Sequence, residues 1–371
     1  MFIMDRFKNI EIIGIPFLAG CLSGNVIAPH CPAWSHSLLL TATSAAAGYI
    51  YVRSRKSGLR SIGIPLLCTL FFLCGNLCIL RGYACRFDEG AGFTGGAADG
   101  FMAKKAIFFS EAIDRTGFND REVTATVKAL LLGDRSGLSK STIADFRLSG
   151  ASHILALSGL HLGIIYGFIS SVCRILGKSI TGRRTRSAFA VVFCWMYCLM
   201  VGSGASVSRA MIFILLREYA IHTGRSPDLR NILWASLLLH VCIAPSDFSG
   251  IGFQLSYLAI AGIAYIYPLL KKFYPEGGPK YSPMRKIWET ASLSIACQAT
   301  TFPLAFMKFG TTAPCFLLTN LICLPLTGVL IPFCIVLTLL SAAGVHIHFA
   351  TSAAERLVET MLFSLHVIAG I

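Results

Sequence analysis

From Pro314 to Leu340 the chain carries no charged residue, and similar apolar runs recur along the sequence. A helix of about 20 apolar residues crosses a bilayer, whereas a soluble domain has to keep a polar surface. Charged residues make up 13% of the 371 positions and hydrophobic ones 55%, against about 25% charged in an ordinary soluble domain. Too few charges remain to clothe a soluble surface, so lipid must cover much of the outside. The expected fold is all-α, a polytopic transmembrane helix bundle with short periplasmic or interfacial helices.

Runs that fit a span are Ile10–Val26, Leu38–Val52, Ile62–Leu80, His153–Cys173, Ser187–Val201, Val207–Ile221 and Ile232–Ile243. They continue with Ile251–Leu270, Ile287–Phe306, Pro314–Leu340 and Thr351–Ile371. Pro325 and Pro332 interrupt Pro314–Leu340, which reads as a kinked span or as two half-helices. The total is about nine to eleven spans.

Lysine and arginine divide unevenly between alternate connections. The set that includes the N-terminus has two before the first span, four in Arg53–Arg60, five in Arg174–Arg186, three in Arg217–Arg230 and five in Lys271–Lys286. The opposite set has none in Cys31–His36, Ser203–Ser206 or Pro245–Gly250, and Lys308 alone in Met307–Thr312. Basic connections stay cytoplasmic, so the N-terminus is expected on the cytoplasmic side of the membrane. Most of the basic residues behind the formal net charge of +14 are thus accounted for without nucleic acid.

Arg81–Gly150 is too polar for lipid and falls outside by the same count. Glu89–Gly100 reads as a flexible linker. Phe101–Phe118 mixes apolar and charged residues as an interfacial amphipathic helix does. Val123–Leu132 and Ser141–Leu148 are expected as short helices separated by Gly133–Gly137. The organisation expected is N-terminal transmembrane helices and a periplasmic linker over residues 1–100, a periplasmic or interfacial segment over 101–150, and a membrane core over 151–371.

Fourteen cysteines do not make a disulfide scaffold here. Cys74, Cys78, Cys194, Cys198, Cys242, Cys297, Cys323 and Cys334 lie inside apolar runs, where Cys acts as a small hydrophobe. No CxxC and no zinc-spaced Cys/His set occurs. Cys31 and Cys85 are candidates to face an oxidising periplasm and pair. Met1–Glu11 holds acids as well as bases and no small-residue cleavage pattern follows it, so no cleaved signal is expected.

Three polar clusters interrupt the apolar sequence. In Ala129–Leu138, Gly133 can end a helix with φ > 0, which stands Asp134 and Arg135 on a turn at the membrane surface. The plainer reading is a cap followed by a solvated turn. In Ser149–Gly163, Ser158 and His161 are three apart and share one face of a helix, with Ser152 and His153 upstream. Gly159, Gly163 and Gly167 form a small-residue stripe that lets another helix approach.

Polar side chains at membrane depth face a bundle interior or a hydrated path. The plainer reading of this second cluster is a serine bonded to its own helix and a histidine bonded to a neighbour. In Gly202–Ala210, Arg209 lies just inside the outer end of a span. It either snorkels to the interface or points inward to hold a phosphate. Phe253, Gln254, Ser256 and Tyr257 fall in the opening turns of a later span, and Asn320 precedes Pro325 in another.

Absences narrow the chemistry. Gly177-Lys178-Ser179 resembles the end of a phosphate-binding loop, but Val172 stands where that motif needs glycine. No GxSxG elbow and no acidic metal run accompany these clusters. His346 and His348 make at most a two-ligand fragment. No catalytic constellation, cofactor site or metal site is read, so no enzymatic activity is expected.

The run Ala129–Ser136, then Phe146 to Gly150, then His153-Ile-Leu-Ala-Leu-Ser-Gly-Leu-His161, resembles the signature of the ComEC competence family. Further pieces follow in the family's order: Gly204 to Ala210, Ala244-Pro245, Gly252-Phe-Gln-Leu-Ser-Tyr257, Thr301-Phe-Pro303 and Thr319-Asn-Leu-Ile-Cys-Leu-Pro325. The resemblance runs from about residue 120 to 340. It implies a channel core that passes one DNA strand inward during natural transformation.

Implied partners are single-stranded DNA, a periplasmic DNA receptor, a cytoplasmic DNA motor and single-strand-binding proteins, with a homo-oligomer and a separate nuclease as further expectations. Arg135 and Arg209 would then meet phosphates, with Asp134 beside them. His153, Ser158, His161, Gln254, Ser256 and Asn320 would keep the path wet, and Phe253 or Tyr257 would stack bases. Two parts of the longest family members are not recognised: an OB-like domain near Arg81–Lys105, and a C-terminal metallo-β-lactamase-like domain. The rival reading is a channel or carrier for a small polar solute or lipid precursor, and a third is an assembly subunit whose polar clusters only pack helices.

Overall fold

A computed structural model of the chain describes residues 10–27, 68–79, 97–176, 180–202, 205–274, 283–310 and 314–370. Among the described residues every regular element is helical. The chain divides into two compact units, Met1–Thr94 with Tyr219–Tyr257, and Gly95–Glu218 with Leu258–Ile371.

The first unit is built on α1 (Glu11–Ile27), α2 (Cys68–Ile79) and α10 (Leu229–Ile243). Glycine lets α1 and α2 meet backbone to backbone. A Cβ added to Gly20 would lie 1.8 Å from the Phe72 carbonyl oxygen, and one on Gly75 would lie 2.1 Å from that of Phe17. Any side chain there would force the two helices apart. Asn76 Nδ2 donates to Ser23 Oγ across the same seam at 2.9 Å. On its other side α1 reaches α10, where the Ile10 N–H donates to Asn231 Oδ1 at 3.1 Å. The Asp228 carboxylate caps α10 by accepting from the Arg230 N–H, so a polar loop converts cleanly into an apolar helix.

The second unit holds α3 (Ala97–Asp114), α4 (Arg121–Leu132), α5 (Lys140–Leu148), the one-turn α6 (Ser152–Leu155) and α7 (Gly159–Val172). It continues with α8 (Ile180–Val201) and α9 (Ala205–His222), which runs on past the unit's boundary, and with α12 (Pro283–Phe309), α13 (Phe316–Ala342) and α14 (His348–Ala369). Helix α11 (Ile251–Lys271) begins in the first unit and ends in the second. It widens to a π-turn over Gly262–Ile266. There Gly262 approaches α12 so closely that a Cβ would lie 2.2 Å from the Ala296 carbonyl oxygen, and the Thr300 hydroxyl donates to the Leu258 carbonyl at 2.8 Å.

Among the described residues, length and composition make three helices apolar enough to cross a membrane: Arg184–Val201 within α8, α11 and α13. Four shorter apolar helices, Glu11–Val26, Cys68–Ile79, Gly159–Val172 and Leu229–Ile243, lie on expected spans. The expected Leu38–Val52 and the cysteines Cys31 and Cys85 fall outside the described residues. Pro325 and Pro332 sit inside one helical element, α13, rather than between two half-helices. Thr351–Ile371 is helical through Ala369, but Glu355, Arg356 and Glu359 keep α14 out of the set apolar enough to span.

Two boundaries move. Helix α3 starts at Ala97, inside the glycine-rich stretch expected as linker, where Ala97 and Ala98 favour helix. The expected span His153–Cys173 is broken: α6 stops at Leu155, and α7 restarts at Gly159 after an extended Ser158 (φ −123°, ψ 167°).

Candidate functional site

The site residues of the second unit are assembled by short helices, of which α4 and α5 carry side-chain caps. Asp120 caps α4 by accepting from the Glu122 N–H at 2.8 Å, and Gly133 (φ 76°) ends it. A Cβ on Gly133 would meet Leu157 as well as strain the backbone. Immediately after this cap, exposed Asp134 accepts from the Ser136 N–H at 3.0 Å. The Ser136 hydroxyl and N–H, with Lys128 adding its charge, hold the Asp134 carboxyl below the usual carboxylate range. Arg135 Nε donates to the Leu155 carbonyl at 3.2 Å, which ties this turn to the break before α7. The Tyr197 hydroxyl of α8 donates to the Leu131 carbonyl at 2.7 Å and fixes the same end.

At the other end of α4 a carboxylate from the far end of the sequence takes over. Glu355 on α14 is 7% exposed. It accepts from the Asn119 and Asp120 N–H groups, each at 3.0 Å, and from Asn119 Nδ2 at 3.1 Å. Nearby, the Thr351 hydroxyl donates to the Thr116 carbonyl at 3.3 Å. Burial pushes the Glu122 carboxyl up, but hydrogen bonds from Thr142 and Ser139 outweigh it and leave it below the usual range. Helix α5 is tied at its own end by His366 Nδ1 and Asp145 Oδ2, 3.0 Å apart.

Ser158 and His161 do meet, with Oγ and Nδ1 3.0 Å apart. They meet as the N-cap and third residue of α7 rather than on one long helix. His161 is 1% exposed, and its Nε2 is buried without a hydrogen-bond partner among the described residues. His153 lies before the break, exposed, with Nδ1 3.1 Å from the Gly150 carbonyl oxygen. Arg209 on α9 is 1% exposed, so it neither snorkels nor lies open to a strand. Its neighbour Ala210 lies 3.2 Å from a Cβ built on Gly159. Gly163 and Gly167 have no atom within 4 Å of such a Cβ, so the stripe supports close approach at Gly159 alone. Asn320 is half-buried, its Oδ1 without a partner among the described residues. The adjacent Thr319 hydroxyl donates to the Ser149 carbonyl at 2.7 Å.

The remaining expected residues belong to the first unit. Phe253 and Tyr257 are buried and pack on one another, ring centroids 4.6 Å apart. Phe248 and an edge-on His240 complete the cluster at 5.7 and 5.1 Å from Phe253. His240 Nε2 lies 3.1 Å from Asp247 Oδ2. Gln254 Nε2 donates to the Phe248 carbonyl at 3.2 Å, and Ser256 is half-buried.

Sequence reasoning passed over a second buried carboxylate. Glu218 on α9 is 7% exposed and accepts from the Tyr166 hydroxyl of α7 and the Ser187 hydroxyl of α8. Arg217 Nη1 lies 2.9 Å from Glu218 and 3.0 Å from the Tyr166 oxygen. The available signal is an acid, Glu218, inside the expected span Val207–Ile221, where it overlaps the basic connection Arg217–Arg230. Among the described residues no three His, Cys, Asp or Glu side chains gather closely enough to hold a metal ion.

Helices long and apolar enough to cross a bilayer, in a chain whose described residues form no strand, define a polytopic helical membrane protein. The family model described as Competence protein matches residues 130–371, well over half of the sequence, and the chain belongs to that family. It is 34% identical over 89 residues to ComE operon protein 3 of Bacillus subtilis, covering 24% of this chain and 11% of that one. It is 28% identical over 94 residues to Recombination protein 2 of Haemophilus influenzae, covering 24% of this chain and 12% of that one. The matched segments are thus a small part of either relative. No solved structure matches.

Proposed function

We propose that this chain forms the passage by which one strand of DNA crosses the cytoplasmic membrane of a bacterium in natural transformation. Membership of the competence family supports the process. The uneven basic connections support a cytoplasmic N-terminus, which sets Asp134 and Arg135 at the outer mouth. The observation that carries the reading is burial of Arg209 and His161, each 1% exposed, in helices that meet at Gly159 and Ala210. Burying a cation is costly, and in a membrane protein it marks a functional site by default.

Burial also constrains the mechanism. In this reading a strand would reach Arg209 and His161 only once α7 and α9 part, since both side chains are buried. Opening would hydrate Ser158, His153 and Asn320 and offer the guanidinium to phosphates. In the first unit, Gln254 and Ser256 would add polar lining. Phe253 and Tyr257 would have to leave their aromatic cluster to stack on bases, an interaction worth about 1–3 kcal/mol for any base. Binding has to stay weak enough for release. A periplasmic receptor would deliver the DNA, and a cytoplasmic motor and single-strand-binding proteins would draw in the strand, with a separate nuclease degrading its complement.

The test is uptake of fluorescent double-stranded DNA in competent cells with and without the gene, scoring periplasmic and cytoplasmic signal separately. Deletion should leave DNA in the periplasm and abolish cytoplasmic entry. Arg209→Ala, at unchanged membrane abundance, should reduce entry at least tenfold. Unaffected entry on deletion would reject DNA import and favour a carrier of a small polar solute.

A further inference from the structure

Cys78 and Cys242 stand 164 positions apart in the sequence, yet their sulfur atoms lie 3.9 Å apart. Cys78 is one residue from the last described residue of α2, and Cys242 is one residue from the end of α10. Both helices are held by α1 close to these ends. Asn76 donates to Ser23, and the Ser249 hydroxyl just beyond α10 donates to Asn25 Oδ1 at 2.8 Å. The thiols are therefore brought together by a fixed three-helix frame. A disulfide requires sulfurs about 2.05 Å apart, so the 3.9 Å gap has still to close.

We propose that Cys78 and Cys242 form a disulfide that staples α2 to α10. The inference rests on the orientation given above, which places both helix ends at the outer face, where disulfides persist. The oxidant is a periplasmic protein disulfide acting by thiol–disulfide exchange. One thiolate attacks it to give a mixed disulfide, and the second thiolate then displaces the catalyst's sulfur. Two cysteine thiols lose two electrons and two protons, and the catalyst's disulfide becomes a dithiol. Cys242 is exposed and Cys78 is half-buried, so Cys242 is the partner that the catalyst reaches first.

The experiment uses the full chain in its own membrane. Cells are quenched in acid, free thiols are blocked with one maleimide, and disulfides are then reduced and labelled with a second, heavier one. The expected result is heavy label on Cys78 and Cys242, and a peptide pair linked through them when reduction is omitted. In Cys78→Ser, the heavy label on Cys242 should vanish. First-label modification of both thiols in the parent chain would overturn the proposal. In that event, an impermeant maleimide applied to intact cells separates the two premises. Labelling of Cys242 keeps the orientation and rejects the disulfide alone. Protection in intact cells with labelling in inverted vesicles rejects both.

Discussion

Glu355 and Glu218 are buried to the same degree, 7% exposed, but their surroundings differ in kind. Glu355 is met by two backbone N–H groups and one amide at the start of α4. The two backbone donors cannot turn away, so the carboxylate serves as a fixed joint between α14 and α4. Glu218 is met by two hydroxyls and by Arg217, whose side chain is 47% exposed. Those donors sit on rotatable side chains of three helices, and water can replace one of them. The comparison teaches that burial alone does not give a buried acid its role, because the mobility of its donors decides how much is lost when it is removed.

The sharpest break would come at the fixed joint. Glu355→Ala leaves three donors without their acceptor, and a hydrogen bond to a charged group contributes about 1.5–3 kcal/mol. Unfolding of the detergent-solubilised chain should show the largest loss of the series, about 3 kcal/mol or more. A midpoint unchanged from the parent would dismiss the joint.

Glu218→Gln keeps the shape and one acceptor while stripping Arg217 of its counter-charge. Because water reaches Arg217, the loss should be about 1–2 kcal/mol, smaller than at Glu355. The reverse order would show that the hydroxyl cluster is the more rigid of the two. Tyr166→Phe and Ser187→Ala should each cost about 1 kcal/mol. Their double variant should depart from the sum, since both donate to one carboxylate; strict additivity would mean that they do not share it.

The smallest effect belongs to an exposed carboxylate. Asp134→Asn should cost only a few tenths of a kcal/mol at neutral pH, about the scale of a solvated ion interaction. The pH dependence has a definite sign. Asp134 is held below its usual range, so its contribution is present above an unfolded value of about 3.9 and is lost as pH falls through the folded value. Stability curves of parent and variant should therefore converge in acid, and a gap that widens there would reject the Ser136 hydrogen bonds as its source.

Local rules made part of this molecule legible. Helices α4 and α5 start within two residues of where the sequence sets them, and Gly133 marks the end of α4; their N-caps Asp120 and Ser139 emerge only from the structure. The break before α7 was not legible, since a serine that caps a helix looks like one inside it when apolar residues lie on both sides. Spacing also could not say which of Gly159, Gly163 and Gly167 meets a neighbour. The joint at Glu355 links positions 236 apart, and no periodicity reports a contact of that separation. Arg209 stands out in the sequence as a charge just inside an apolar run, but its burial is a property of the packed bundle.

The glycine seam between α1 and α2 bears on the order in which the membrane protein is assembled. Its two helices leave the ribosome within a few dozen residues of each other, whereas α10 follows about 150 residues later. Chains fold from the N-terminus during synthesis at about 5–20 residues per second, so α1 and α2 have seconds together before α10 exists. Their backbone contact needs no third helix, only two glycines and the adjacent Asn76–Ser23 bond. The pair can therefore act as a template already in place when α10 arrives. A bulky residue at Gly20 or Gly75 would then damage biogenesis first, appearing as chains degraded before they finish folding rather than as finished proteins that melt early.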